Sequence, residues 1–174
     1  MVIVDIGANI GLTCCHFSEL YPNSQILGFE LDKENSEVAI KNSNQYSNIR
    51  VKNQGVWDKE ITLCYSLDDE NDAYRIIPLD TKNSDLKAVK LLSMNKALLE
   101  FDTIDFLKMD IEGAEVVIFE SKDIEWLDKV NSINIEFHLE HPQELDRFEL
   151  LFKNKGYTIQ EKNPHWCSII GHRN

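Results

Sequence analysis

Apolar residues along this chain alternate between two spacings, and the alternation repeats. Residues 2 to 6 form a continuous apolar run interrupted only by Asp5, the pattern of a central strand covered on both faces. Residues 11 to 21 then follow helical spacing, closed by Tyr21-Pro22-Asn23. "SQILGFE" predicts a second strand ending at Glu30. Asp32 opens the next helix as an acidic cap, and that helix is expected to carry Val38 and Ile40 inward. "NIRVKNQGVW" predicts a third strand, and "EITLCYSL" alternates like a further, more exposed one. Residues 68 to 87 are polar, contain Pro78, and are expected to form a mobile loop or an insertion.

The rhythm resumes with "LKAVKLLSMNKALLEF", a short strand, a Ser93 cap and a helix. "DTIDFLKMD" predicts a strand ending at Asp110, "EGAEVVIFESKDIEWLDKV" a helix, and "NSINIEFHLE" another strand. The helix in "PQELDRFELLFKNKG" places Leu145, Phe148, Leu151 and Phe152 on one face and stops at Gly156. "YTIQEK" and "WCSIIG" read as a terminal β pair. Strands alternating with helices imply an α/β fold with a mainly parallel sheet, helices on both faces and an antiparallel hairpin at one edge.

At 174 residues, the chain is expected to be a single domain over 1–174. Its formal net charge of −12 argues against nucleic-acid and membrane-surface partners, because phosphate backbones and anionic headgroups are repelled. The four cysteines show no metal-binding spacing and fit free thiols in a reducing cytosol, a cytoplasmic localisation. No run approaches the roughly 18 apolar residues of a membrane span. The chain enters a strand at once, so a signal peptide is not expected, and an upstream segment is expected to be missing or trimmed.

Chemistry is expected first at Gly7-Ala8-Asn9-Ile10-Gly11, a turn between strand and helix. A dinucleotide turn has glycine at its middle position so that backbone can press against a pyrophosphate. Here Asn9 fills that space. An asparagine rim with Asp5 below suits a cationic, zwitterionic ligand such as S-adenosylmethionine. Glu30, at the tip of the second strand, is placed to accept hydrogen bonds from a ribose diol, which serves that cofactor or NAD equally well. In "NQGVWD", Gly55 allows close approach to an adenine, Val56 and Trp57 could flank it, and Asp58 could take its exocyclic amine. The bland alternative is that Trp57 is core and Asp58 a cap.

A second run, "KMDIEGAE", crowds Asp110, Glu112 and Glu115 at the end of a strand and the start of a helix. Helix-dipole stabilisation is the simple explanation for Glu112 and Glu115. Asp110 faces the expected pocket, with Lys108 on the same side of the strand. Together, "VIVDIGANIG" and "IDFLKMDIEGAE" resemble the FkbM-type methyltransferases over nearly the whole chain. The resemblance implies a Rossmann-like seven-strand sheet, S-adenosyl-L-methionine as cofactor, and O-methylation of a sugar, glycan or small natural product. By it, Asp5, Gly7, Ala8, Asn9 and Gly11 match the cofactor turn and Glu30 the ribose carboxylate. Asp110, Glu112 and Gly113 match the signature beside the transfer site. A lid helix usual before the first strand has no counterpart here.

Oxygen methylation calls for a base or a metal. Asp110 is the first candidate. Glu136 and His138 share a strand face, and a histidine titrates near neutrality. Asp110, Glu112, Glu136 and His138 could together hold a divalent metal. His16 is expected to pack, and His165 and His172 carry no signal. The rival readings are an NAD-dependent oxidoreductase and a non-catalytic domain that binds an adenosyl cofactor.

Overall fold

The computed structural model describes residues 1–67, 74–77, 87–160 and 167–173. In chain order the elements begin with β1 (Val2–Ile6), α1 (Leu12–Leu20), β2 (Gln25–Glu30), α2 (Lys33–Ser43) and β3 (Ile49–Asn53). They continue with β4 (Gly55–Trp57), β5 (Ile61–Leu67), β6 (Tyr74–Ile77), β7 (Lys87–Ser93), α3 (Met94–Ala97) and β8 (Ile104–Met109). The last are α4 (Ala114–Glu120), β9 (Val130–Glu136), α5 (Leu145–Asn154), β10 (Thr158–Ile159) and β11 (Ser168–His172).

Seven strands form one sheet in the order β10-β11-β9-β8-β1-β2-β3. The pairs from β9 to β3 are all parallel, and β11 runs antiparallel between β9 and β10. The expected α/β, doubly wound sheet with an antiparallel C-terminal hairpin is therefore present. The chain builds outward from β1 through β2 to β3, then returns to place β8 on the other side of β1. The carboxyl ends of β1 and β8 are thus the topological switch point, where open α/β sheets bind ligands.

Central strands are buried on both faces. Val4 and Ile6 of β1 enter a large core with Leu107, Ile133 and Ile135, whereas Ile3 packs with Ala8, Cys14 and Ile26 on the opposite face. Aromatic rings fill the large core: Phe137 stacks on Phe148 with centroids 4.2 Å apart, and Phe119 meets Phe152 edge-on at 5.1 Å. Phe148 and Phe152 lie on the α5 face anticipated from the sequence, and the helix gives way to Gly156 in a left-handed conformation (φ 87°).

Several expectations are corrected. α2 does not carry Val38 and Ile40 inward. Ile40 is 49% exposed, and the helix buries Ser36, Ala39 and Ser43. Small side chains let α2 lie against the first turn of α1, where a Cβ on Gly11 would come within 3.0 Å of the Ala39 Cα. His16 is exposed, because α1 turns Cys14 and Ser18 toward the sheet. The predicted third strand is two. Gln54 donates its backbone N–H to the Glu30 carbonyl, and the chain then leaves the first sheet. β4 pairs in parallel with β7 in a second sheet of order β4-β7-β5-β6.

Within the expected loop, residues 74–77 are β6 and Lys87 begins β7; 68–73 and 78–86 lie outside the described residues, as does His165. The helix expected over 112–130 is shortened to α4, which ends at Glu120 with Ser121 as its C-cap, and a separate 3-10 turn spans Glu125–Lys129.

Candidate functional site

The turn after β1 is shaped by contact with both neighbouring strands. Gly7 and Ala8 donate their N–H groups to the Phe29 carbonyl at 3.0 and 2.9 Å, and Asp110 donates to the Ile6 carbonyl at 2.9 Å. A Cβ on Gly7 would lie 1.8 Å from the Asp110 carbonyl oxygen, and its φ of 88° is left-handed, so both space and backbone demand glycine. Asn9 is also left-handed, with φ 48°, a conformation asparagine tolerates better than most residues.

Glu30 is 5% exposed at the carboxyl end of β2. Its Oε2 accepts the Asn9 N–H at 2.7 Å and its Oε1 the Asp32 N–H at 2.8 Å. Burial raises its pKa, against the opposing effect of those two donors. The carboxylate is thereby locked to the turn while still lining the cavity, with lone pairs left to accept further hydrogen bonds.

Asp5 lies fully buried beneath the turn. The Cys14 thiol donates to its Oδ2 at 3.4 Å, and the Lys108 ammonium is 3.3 Å from its Oδ1. Burial raises the Asp5 pKa more than Lys108 and Cys14 lower it, and burial beside that carboxylate pushes the Cys14 thiol up strongly. Lys108 also lies 3.8 Å from Asp110 Oδ2. Burial pulls down its pKa, but Asp5 and Asp110 together hold it above the ordinary lysine range.

On the other side of Asp110 is His138, just past β9. Its Nε2 is 3.2 Å from Glu112 Oε2 and 3.9 Å from Asp110 Oδ1, and its Nδ1 is 3.4 Å from Glu115 Oε1. Glu115 is fully buried and accepts the backbone N–H groups of Ile111 (2.5 Å) and Gly113 (2.8 Å). The Glu115 hydrogen bond, then the surrounding carboxylates, raise His138 to about 9 against the effect of burial. Its carboxylate neighbours thus favour the imidazolium form of His138. Burial raises the pKa of Glu112, offset by His138. Asp110, Glu115 and His138 each offer a ligand atom within 4.8 Å of the others and could hold a divalent cation. Of the set expected from the sequence, Asp110 and His138 are in this cluster, with Glu115 where Glu112 and Glu136 were expected; Glu136 accepts a 3.8 Å contact from the Cys167 thiol.

One cavity runs along this switch point. Gly7, Asn9, Glu30, Val56, Asp110 and Glu112 all line it. Asp5 and Ala8 lie behind the turn, and Gly11 caps α1. Trp57 and Asp58 do not line the cavity, since β4 turns Val56 inward and the next side chain to the other face. Gly55 lines the cavity, and a Cβ there would strike the Leu91 and Leu31 side chains. The sequence reading missed Phe29, Leu31, Asn35, Gln54, Leu91 and Ile111 as lining residues. Phe29 and Gln54 adjoin recognised positions, but nothing local marks Leu91, which the second sheet brings in.

The family described as Methyltransferase FkbM domain matches residues 5–159. "Methyltransferase 1" of Beauveria bassiana (strain ARSEF 2860) is 22% identical over 188 residues, covering 95% of this chain and 75% of that protein. "Methyltransferase sdnD" of Sordaria araneosa is 24% identical, with 95% and 76% covered. Among solved structures, M. capricolum TrmK in complex with S-adenosyl-homocysteine has a TM-score of 0.51 at 12% identity; the match covers 100% of this chain but 62% of that one. The Methanococcus jannaschii fibrillarin pre-rRNA processing protein reaches a TM-score of 0.58 at 12% identity, covering 99% and 66%. Both likenesses establish the fold.

Proposed function

The chain belongs to the FkbM methyltransferase domain family, and from that membership we propose that it is an S-adenosylmethionine-dependent O-methyltransferase acting on a sugar, glycan or small natural product. The observation that carries the cofactor is the Asn9–Glu30 lock. A buried carboxylate, fixed by the turn's own N–H, faces the cavity where a ribose diol would bind, and Asn9 occupies the space a pyrophosphate would need. TrmK, a protein of this fold, is seen with the spent form of the same cofactor.

In the transfer, the acceptor oxygen attacks the methyl carbon in line, the carbon–sulfur bond breaks, and sulfur keeps the electron pair as a neutral thioether. The hydroxyl proton passes to a carboxylate, and Asp110 is the group we assign to receive it. It lines the cavity at the carboxyl end of β8, with the Lys108 ammonium 3.8 Å from its Oδ2 and His138 Nε2 3.9 Å from its Oδ1. His138 and Glu112 hold each other at the cavity edge. Alignment accounts for most of the acceleration, since effective molarity can supply on the order of 7 kcal/mol or more.

Titration calorimetry tests this reading. The chain is expected to bind S-adenosylhomocysteine and not NAD. Glu30→Ala, its fold checked by circular dichroism, should bind about 10- to 100-fold more weakly, the loss of one to two charge-assisted hydrogen bonds. Saturable NAD binding in place of S-adenosylhomocysteine overturns the cofactor. A labelled donor with a panel of sugars and hydroxylated natural products tests the acceptor, and label recovered only on nitrogen or carbon overturns the O-methyl assignment.

A further inference from the structure

Lys108 reaches the cofactor turn from the neighbouring strand. In the parallel pairing of β1 with β8 it stands opposite Asp5, and it lies two residues before Asp110, so all three side chains project to one side of the sheet end. Its Nζ is 3.3 Å from Asp5 Oδ1, 3.5 Å from the Gly7 carbonyl oxygen and 3.8 Å from Asp110 Oδ2. Only 20% of the side chain is exposed. Asp5 Oδ1 makes no aligned hydrogen bond, so the contact with the ammonium is what offsets its burial. One cation is thereby shared between the carboxylate under the turn and the carboxylate at the acceptor edge.

The donor and its product differ by a methyl group and one charge: sulfur is a sulfonium before transfer and a neutral thioether after it. Resting on the methyltransferase reading above, we propose that Lys108 sets how strongly this site prefers the charged donor over the neutral product. Asp5 and Asp110 attract a sulfonium bound in the cavity, and the ammonium between them offsets that attraction. Without it, the donor would gain affinity and the product would not. The extra affinity would be lost as sulfur discharges, so it would slow transfer rather than assist it. Lys108 is thus a specificity-determining residue that acts through its charge.

Calorimetric dissociation constants for S-adenosylmethionine and S-adenosylhomocysteine, measured on the same protein, test the proposal through their ratio. In Lys108→Met the preference for the donor over the product should rise on the order of tenfold, as expected for one charge acting through an effective dielectric of about 20. Lys108→Arg should keep the wild-type ratio. A merely structural role would weaken both ligands by the same factor, and an unchanged or falling ratio in Lys108→Met overturns the proposal. If Lys108→Met does not fold, Asp5→Asn takes its place: the ammonium remains and its partner is neutral, so the ratio should fall below wild type, and an unchanged ratio overturns it. A wild-type protein that binds neither ligand overturns the cofactor reading itself, an outcome distinct from these.

Discussion

Glu115 shows how much one side chain can organise. Helix-dipole stabilisation is a sufficient reason for a glutamate in the first turn of α4. In the folded chain, however, it holds two backbone N–H groups of its own turn and the Nδ1 edge of His138. A pH dependence follows. His138 is raised to about 9 in the fold, against 6.5 as its ordinary value. The stabilisation from its carboxylate partners is fully present below about 6.5 and is lost as pH rises through about 9. With a chelator present, the difference in melting temperature between wild type and His138→Asn should be largest near pH 6 and shrink steadily toward pH 9.5. A difference that stays constant over that range would contradict the pairing. By contrast, Gly7, Asn9 and Glu30 were legible in the sequence, because a tight turn and a carboxylate at a strand tip are marked by the residues themselves.

Between elements, the decisive variable is which faces meet. The α5 stripe was readable because large aromatics recur at helical spacing, and Phe152 contacts Phe119, Phe137 and Tyr157 in the core. Phe152→Ala is expected to cost about 3–5 kcal/mol in urea denaturation. α2 misled because it packs through serine and alanine while Val38 and Ile40 face solvent, so Ile40→Ser should change stability by no more than about 0.5 kcal/mol. A loss for Ile40→Ser as large as that for Phe152→Ala would show that the helix presents another face. The second sheet lay beyond a local reading too. β4 pairs with β7 in parallel, a partnership between segments separated by two further strands.

Charge acts on the whole molecule. Among solved structures of this fold, the fibrillarin protein is named for pre-rRNA processing. A net charge of −12 opposes a polyanionic acceptor here. No described helix is long and apolar enough to cross a membrane. In about 150 mM salt the chain is expected to pass through a heparin column unretained and to leave the mobility of transfer RNA unchanged. Saturable RNA binding that weakens as salt rises would show a local basic surface overriding the net charge.

By itself the sequence determined the α/β rhythm, a mainly parallel sheet with an antiparallel edge and the two motifs at its switch point, because periodicity and turn stereochemistry are written within a few adjacent residues; the count of seven strands came from the family resemblance. The tertiary structure alone decided the second sheet, the turning of Trp57 away from the cavity, the gathering of three carboxylates around His138 and the sharing of Lys108 between Asp5 and Asp110. Each depends on strand register or on burial, which bring together groups far apart in the chain and remove them from water. No local pattern encodes either.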